Sequence, residues 1–388
     1  MMTRLQLLAL GIFLAAVALR STLLGAVGVL LGVATVVAIQ WNRRVSRSLR
    51  IERKIATTLP WNEAAELEVR ITNTSLLPVP WLAVEESIPP GIRTGGVATQ
   101  VLSLPAGGAR SLRYPLHSSQ RGYYRIGPMR LATGDVLGWQ TQRMVIAPTA
   151  LTVLPRLVPI MELGLPAALP FGPLASTRQR GEDPARPAGV RAYQASDGVR
   201  RIDWKATAHR NTLMVRRADP AISPETTFAL AFGTADYPAR VLHDALERAA
   251  TVVASLAVAL LGRKLPVGLV ASGFDPLHER TGLVLPQGKG DAQRRMLLEA
   301  LGRLQMAHEG SLWTLLAQQP LPWGGTLVVV MSDLGTDELP HVLQLLRRGQ
   351  QVALLLLEPT PGGLALAQQR RLAHWSVDGR GSPKANHA

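Results

Sequence analysis

The densest run of chemically capable side chains in this 388-residue chain lies between Gly189 and Arg217. It holds Arg191, Tyr193, Asp197, Arg200, Asp203, Lys205 and Arg216, interleaved with Ile202 and Trp204. A carboxylate, an amine and a phenol at such spacing could serve as general acid, base or nucleophile. They could also neutralise one another. Asp183, Asp197 and Asp203 each have an arginine close by in sequence, and ion pairing is the simpler use of them. Other catalytic patterns fail. Gly288-Lys289-Gly290 resembles a phosphate loop only faintly: Gly282 stands one residue too far upstream, and Gly290 replaces the Ser or Thr that would hold Mg²⁺. The chain has no cysteine, so thiolate chemistry and disulfides are excluded, and its 8 histidines are scattered. His117 reads as a lone structural residue. No catalytic residue, metal ligand or cofactor is assigned, and the chain reads as a non-enzyme.

Local physics suggests how the run is held. Ser196 or Asp197 can cap a short helix on which Val199, Ile202, Ala206 and His209 share one face. Arg200 then pairs with Asp203 at i+3 and lies near Trp204 at i+4. Beyond it, Leu213 and Val215 point one way along a strand, and Met214 and Arg216 the other. Ile202, Trp204, Leu213 and Val215 look like packing residues. The run is therefore either a strut between domains or a docking surface.

Four segments must position it. Residues 1–55 open with two apolar runs, Leu5–Leu19 and Leu23–Ile39, joined by Arg20-Ser21-Thr22. At ~1.5 Å per residue they reach roughly 22 and 26 Å, which a helical hairpin with polar flanks can extend across a bilayer. A signal peptide with a cleavage site near Ala16-Val17-Ala18 is the rival reading. The net charge is +15, and +7 of it lies in residues 1–60, mostly in Arg43, Arg44, Arg47, Arg50, Arg53 and Lys54. That is the footprint of anionic lipid and of a cytoplasmic flank, and no nucleic acid is expected as partner. The soluble part should then face the cytoplasm from the inner membrane. Residues 56–155 carry period-two patterns such as Glu66-Leu67-Glu68-Val69-Arg70-Ile71 between Pro- and Gly-rich turns, an antiparallel β-sandwich of Ig-like size. Residues 156–225 are the connector, its first part a long loop expected to wrap the sandwich. Residues 226–388 alternate apolar strands with helices, the signature of a doubly wound α/β domain with a parallel sheet.

The run 191–216 resembles the signature of domain-of-unknown-function family 58, Arg-Glu-Tyr, Pro-Gly-Asp-Asp, Arg-x-Ile-Asp-Trp-Lys and Leu-x-Val-Arg. It matches at Arg191, Tyr193, Asp197, Arg200, Ile202, Asp203, Trp204, Lys205, Ala208 (in a further Ser-Ala-Arg element), Leu213, Val215 and Arg216, and departs at Ala192, Ala195-Ser196, Gly198 and His209, which stands for the Arg of that element. Gln120-Arg121-Gly122-Tyr123-Tyr124-Arg125-Ile126-Gly127-Pro128 is similar to a second family pattern, and Gly134-Asp135-Val136-Leu137-Gly138 stands where Asp-Pro-Phe-Gly is usual. The resemblance implies a membrane hairpin, a von Willebrand factor A-like α/β domain and a MoxR-type AAA+ ATPase as partner in assembly or maturation of protein complexes. The client is not named by it. Such domains often bind Mg²⁺ through Asp-x-Ser-x-Ser after the first strand, whereas Phe232-Gly233-Thr234 stands here and Asp236 is displaced. A metal-dependent adhesion or chelatase-like module is thus an alternative, as is an uncharacterised enzyme using 191–216. Asp333, at the C-terminal end of a strand, is either ligand-facing or a capping residue.

Overall fold

The computed structural model describes residues 4–95, 99–135, 141–165, 182–194, 202–220 and 225–377. The chain divides into two compact units, Met1–Val153 and Leu154–Ala388.

The first unit opens with helices α1 (Arg4–Ala18) and α2 (Thr22–Arg47). Arg20 adopts a positive φ of 51° in the turn, and Ser21 caps α2 by accepting from Leu24 N. Gly25 faces Ala16 and Gly28 lies against the backbone of Phe13, so the contacts step backwards along α1 and the pair is antiparallel. A Cβ at Gly28 would stand 3.1 Å from Phe13 N, so this crossing needs glycine. Helix α2 is long and apolar enough to cross a membrane, with 11% of its apolar window buried.

Eleven strands follow: β1 (Leu49–Lys54), β2 (Thr58–Leu59), β3 (Ala64–Asn73), β4 (Val79–Glu86), β5 (Arg93–Thr94), β6 (Thr99–Leu104), β7 (Ala109–His117), β8 (Gly122–Ile126), β9 (Met129–Gly134), β10 (Thr141–Ile146) and β11 (Thr149–Val153). They form antiparallel sheets ordered β1-β3-β7-β5 and β10-β9-β4-β6, and a third, β2-β11-β8, in which β11 and β2 run parallel. Leu67, Val69 and Ile71 of one sheet and Leu82, Val84 and Leu131 of another meet in one core. The expected boundary at residue 56 needs correction. β1 pairs with β3 from Leu49↔Asn73 to Lys54↔Glu68. The segment assigned to the membrane flank is therefore already sheet, because Leu49, Ile51 and Arg53 alternate on one face.

The second family pattern is structural. Gly91 and Gly122 both lie on the ring of Tyr124, where an added Cβ would approach to 2.9 Å. The Tyr124 hydroxyl donates to the Gln120 carbonyl, 3.1 Å.

In the second unit, residues 154–165 lie on the α/β core. Leu163 and Leu165 are buried there, and Val158 N donates to Ser255 Oγ at 3.0 Å. Of the stretch expected to wrap the sandwich, residues 156–165 pack on this α/β core, and residues 166–181 lie outside the described residues. Next come β12 (Glu182–Ala192), α3 (Trp204–Arg210), β13 (Met214–Pro220), β14 (Thr226–Leu230), α4 (Leu242–Gly262), β15 (Val267–Asp275), β16 (Arg280–Gly288), α5 (Gly290–Arg303), α6 (Leu312–Gln318), β17 (Thr326–Met331), α7 (Leu339–Arg347), β18 (Gln351–Leu356), α8 (Pro361–Gln369) and β19 (Ala373–Ser376).

The six-stranded sheet runs β16-β15-β14-β17-β18-β19. β16 is antiparallel to β15, so the sheet is mixed rather than wholly parallel. Phe228, Leu230, Val328 and Val330 meet α4 and α5 on one face, while Ala229, Leu327, Val329 and Leu354 share a core with residues of α6, α7 and α8 on the other. α4 also has the length and apolarity of a membrane span, but 67% of its window is buried and it is the core helix of this layer.

Candidate functional site

The signature run folds as a strand zipped on both edges. Val215 of β13 pairs with Arg191 of β12 on one side and forms an isolated bridge with Ile202 on the other. Asp203 N donates to the Met214 carbonyl and Tyr193 N to the Leu213 carbonyl, both 2.8 Å. Asp203 is extended and caps α3, its Oδ1 accepting from Ala206 N at 3.0 Å. Thr207 Oγ1 accepts from Met214 N at 3.0 Å and ties the helix back to the strand. Asn211 closes α3 in the left-handed region.

Two expectations are corrected. The expected helix does not take in Ile202, which is engaged in a β-bridge, and α3 begins only at Trp204. Nor are all four apolar residues packed. Met214 and Val215 are buried, but Leu213 is exposed and Trp204 is 66% exposed. Trp204 is the first residue of α3, directly after the Asp203 cap. Lys205, Ala208, His209 and Arg210 are exposed with it. Arg191 and Tyr193 are half-buried, and Arg191 Nη1 donates to the Ala192 carbonyl at 3.1 Å. The backbone of Arg216 pairs with Val190. Asp197 and Arg200 lie outside the described residues, and with them the expected Arg200–Asp203 pair.

A second cluster gathers where open α/β sheets bind ligands, at the carboxyl ends of β14 and β17 where the strand order reverses. Asp236 Oδ2 accepts from Gly233 N at 2.7 Å and lies 3.5 Å from Ser272 Oγ. Burial raises its pKa, the Gly233 and Ser272 hydrogen bonds oppose that, and Glu338 adds a smaller upward push. Glu338 Oε2 accepts from Gly335 N at 3.0 Å. Asp333 accepts from Leu334 N at 2.8 Å and from Thr360 Oγ1 at 2.5 Å. The carboxylates thus hold loop backbone. Among the described residues no group of three or more His, Cys, Asp or Glu could hold a metal ion. At the faint phosphate loop, Gln293 folds over Gly288 and donates to the carbonyls of Val267 and Pro286.

Two charge clusters escape the sequence reading. In the first unit, Arg53 and Glu86 form a buried pair at 2.5 Å, their side chains 7% and 0% exposed. Arg53 also donates to the carbonyls of Ile126 and Ala147. Burial raises the Glu86 pKa and Arg53 partly offsets it, while burial and then Glu86 raise that of Tyr114. The signal was present in the period-two rows Leu49-Ile51-Arg53 and Leu82-Val84-Glu86, each placing its charge on the core face. In the second unit, buried Asp275 accepts from Arg303 Nε at 2.9 Å and meets His278 Nδ1 at 2.8 Å. Burial alone would raise its pKa, but these two partners bring it below the usual carboxylate value.

Residues 189–364 match the family described as "Protein of unknown function DUF58". The likeness to that family spans a little under half of the chain. The match takes in β13, α3 and the six-stranded sheet as far as α8. "Uncharacterized protein YeaD" of Bacillus subtilis (strain 168) is 25% identical over 272 residues, covering 66% of this chain; the chain spans 62% of that relative's length. Among solved structures, native alpha-2-macroglobulin from Escherichia coli, from domain MG7 to the C-terminus, is 14% identical with a TM-score of 0.25, covering 28% of this chain and 17% of that one. The CARDB domain of PF1109 from Pyrococcus furiosus is 20% identical with a TM-score of 0.21, covering 27% of this chain and 91% of that one.

Proposed function

We propose that this DUF58 chain is an interaction protein, anchored in the inner membrane with its soluble units in the cytoplasm, that docks a MoxR-type AAA+ ATPase through the exposed face of α3. The observation that carries the reading is Trp204. An indole 66% exposed beside Lys205, with His209 and Arg210 exposed on the same seven-residue helix, is costly to keep in water. Tryptophan and arginine are the residue types that most often anchor interfaces. α3 carries no acidic residue, so its complement is an acidic surface. The partner class comes from the family resemblance. The anchor is supported by α2, whose last turns carry Arg43, Arg44 and Arg47. The sheet order and its antiparallel edge support a von Willebrand factor A-like reading of the α/β domain.

The rival, a metal-dependent adhesion or chelatase-like module, has its carboxylates at the carboxyl ends of β14 and β17 already engaged with backbone N–H groups. The enzyme reading has a polar run whose Asp203 is spent on capping. The test is capture from solubilised membranes by the tagged full chain, with the ATPase identified by mass spectrometry. Trp204→Ala and Lys205→Glu should each lower ATPase recovery at least tenfold while hydrogen exchange in β13 is unchanged. Undiminished recovery by both variants sinks the docking surface. A saturable calorimetric response to Mg²⁺ would favour the rival.

A further inference from the structure

Helix α2 carries a stripe that changes chemistry along its length. Val36 and Val37, then Gln40 and Trp41, then Arg44 and Arg47 fall at i, i+1, i+4, i+5, i+8 and i+11, which is one helical face. That face, with Arg43, Ser48 and Leu77, lines an open groove of about 730 Å³. The opposite face is taken: Asn42 and Val45 are buried.

The arginines at the groove are uncommitted. Among the described residues, none of Arg43, Arg44 and Arg47 forms an ion pair, and all three are exposed. The helix end does not need them either. Ser48 Oγ donates to the Arg44 carbonyl at 2.8 Å, Ser46 Oγ to the Arg43 carbonyl at 3.2 Å, and Ser48 N to the Val45 carbonyl. Trp41 Nε1 donates to the Pro78 carbonyl at 3.2 Å, which fixes the indole between the apolar and cationic ends. Tryptophan prefers this depth, at the level of lipid headgroups.

We propose that this groove seats one anionic glycerophospholipid. Its phosphate lies among Arg43, Arg44 and Arg47, its glycerol region beside Gln40 and Trp41, and the first methylenes of a chain along Val36 and Val37. From Val37 to Arg44 the helix rises about 10 Å, which matches the step from upper acyl chain to phosphate. Guanidinium groups bind a phosphate by paired hydrogen bonds that the fixed positive charge of a zwitterionic choline headgroup would oppose. The inference rests on the membrane-anchored reading.

The test uses the full chain. Flotation with neutral phosphatidylcholine vesicles reports anchoring, and native mass spectrometry from mixed phosphatidylglycerol and phosphatidylcholine micelles reports the retained lipid. Wild type should float with neutral vesicles and retain phosphatidylglycerol in preference. Arg43→Gln/Arg44→Gln/Arg47→Gln should still float but lose that retention roughly tenfold or more. Arg93→Gln/Arg110→Gln/Arg125→Gln removes three exposed arginines elsewhere and should change it less than twofold. Val37→Trp, which fills the groove with all charges kept, should weaken retention as well. Glycerol 3-phosphate at millimolar concentration should not displace the lipid. Flotation without phosphatidylglycerol preference, equal losses in the two triple variants, or displacement by glycerol 3-phosphate would overturn the lipid site and leave the anchor standing. Failure of wild type to float would remove the anchor and the site together.

Discussion

Replacing Arg53 by methionine should open the first unit locally and leave the second alone. Its guanidinium is the partner of Glu86 Oε1 and also serves the Ile126 and Ala147 carbonyls. Glu86 is fully buried, and its Oε2 has no hydrogen-bond partner among the described residues. Removing the cation leaves a carboxylate that must stay charged in an apolar core or take up a proton. Breaking a buried pair in this way costs about 3–5 kcal/mol. At ~1.4 kcal/mol per decade, that is roughly a hundredfold to a few thousandfold in local opening. Hydrogen exchange of the full chain reads it directly, since amides of β1, β4 and β8 should speed up by that factor while those of β14 and β17 serve as internal control. Arg53→Met/Glu86→Leu should recover most of the loss, because no charge is stranded. A change below threefold in the sandwich amides of Arg53→Met would refute the reasoning, and the pair would count as no more than a surface ion pair.

Four further outcomes follow from the same geometry. The Glu86 pKa is raised in the folded state, so its contribution to stability is fully present below the ordinary glutamate value of 4.5 and is lost as pH rises through the folded value. Sandwich protection, corrected for intrinsic exchange, should therefore grow as pH falls, and Glu86→Gln should flatten that dependence. Asp203→Ala removes the cap of α3 and should cost about 1 kcal/mol in local exchange of residues 204–207, with Asp203→Asn close to wild type. In this cysteine-free chain, Ala16→Cys/Gly25→Cys should cross-link readily in membranes, and adding Gly28→Leu should sharply reduce the yield because Phe13 backbone occupies the space. Gly363→Ala should loosen the Asp333–Thr360 contact, since the new methyl falls on the Asp333 carboxylate, and faster exchange of the backbone amide at position 363, which donates to Thr360 Oγ1, would report it.

The sequence alone settles what local periodicity can settle. Period-two alternation over Glu66–Ile71 marks the middle of β3, and apolar strands alternating with helices after residue 226 mark the α/β domain. The two apolar runs at the N-terminus became helices because nothing in them interrupts hydrogen bonding or supplies a charge. Short elements with weak patterns, β2, β5, α6 and α8, were not legible, since their boundaries are fixed by neighbours rather than by their own residues.

Tertiary structure decided what each charge is for. Arg53 reads in sequence as one more member of a basic cluster, yet it is buried against Glu86, 33 residues away. Arg44 and Arg47, of the same type and a few residues earlier, stay in water. Ile202 fits a helical face by spacing but is drawn into a bridge with Val215, and that bridge starts α3 late and leaves Trp204 outside. The connector's apolar residues found the α/β core because their neighbours along the chain deliver them there. In each case the deciding contact joins residues that local pattern cannot connect, and its energy depends on burial, which only the packed chain defines.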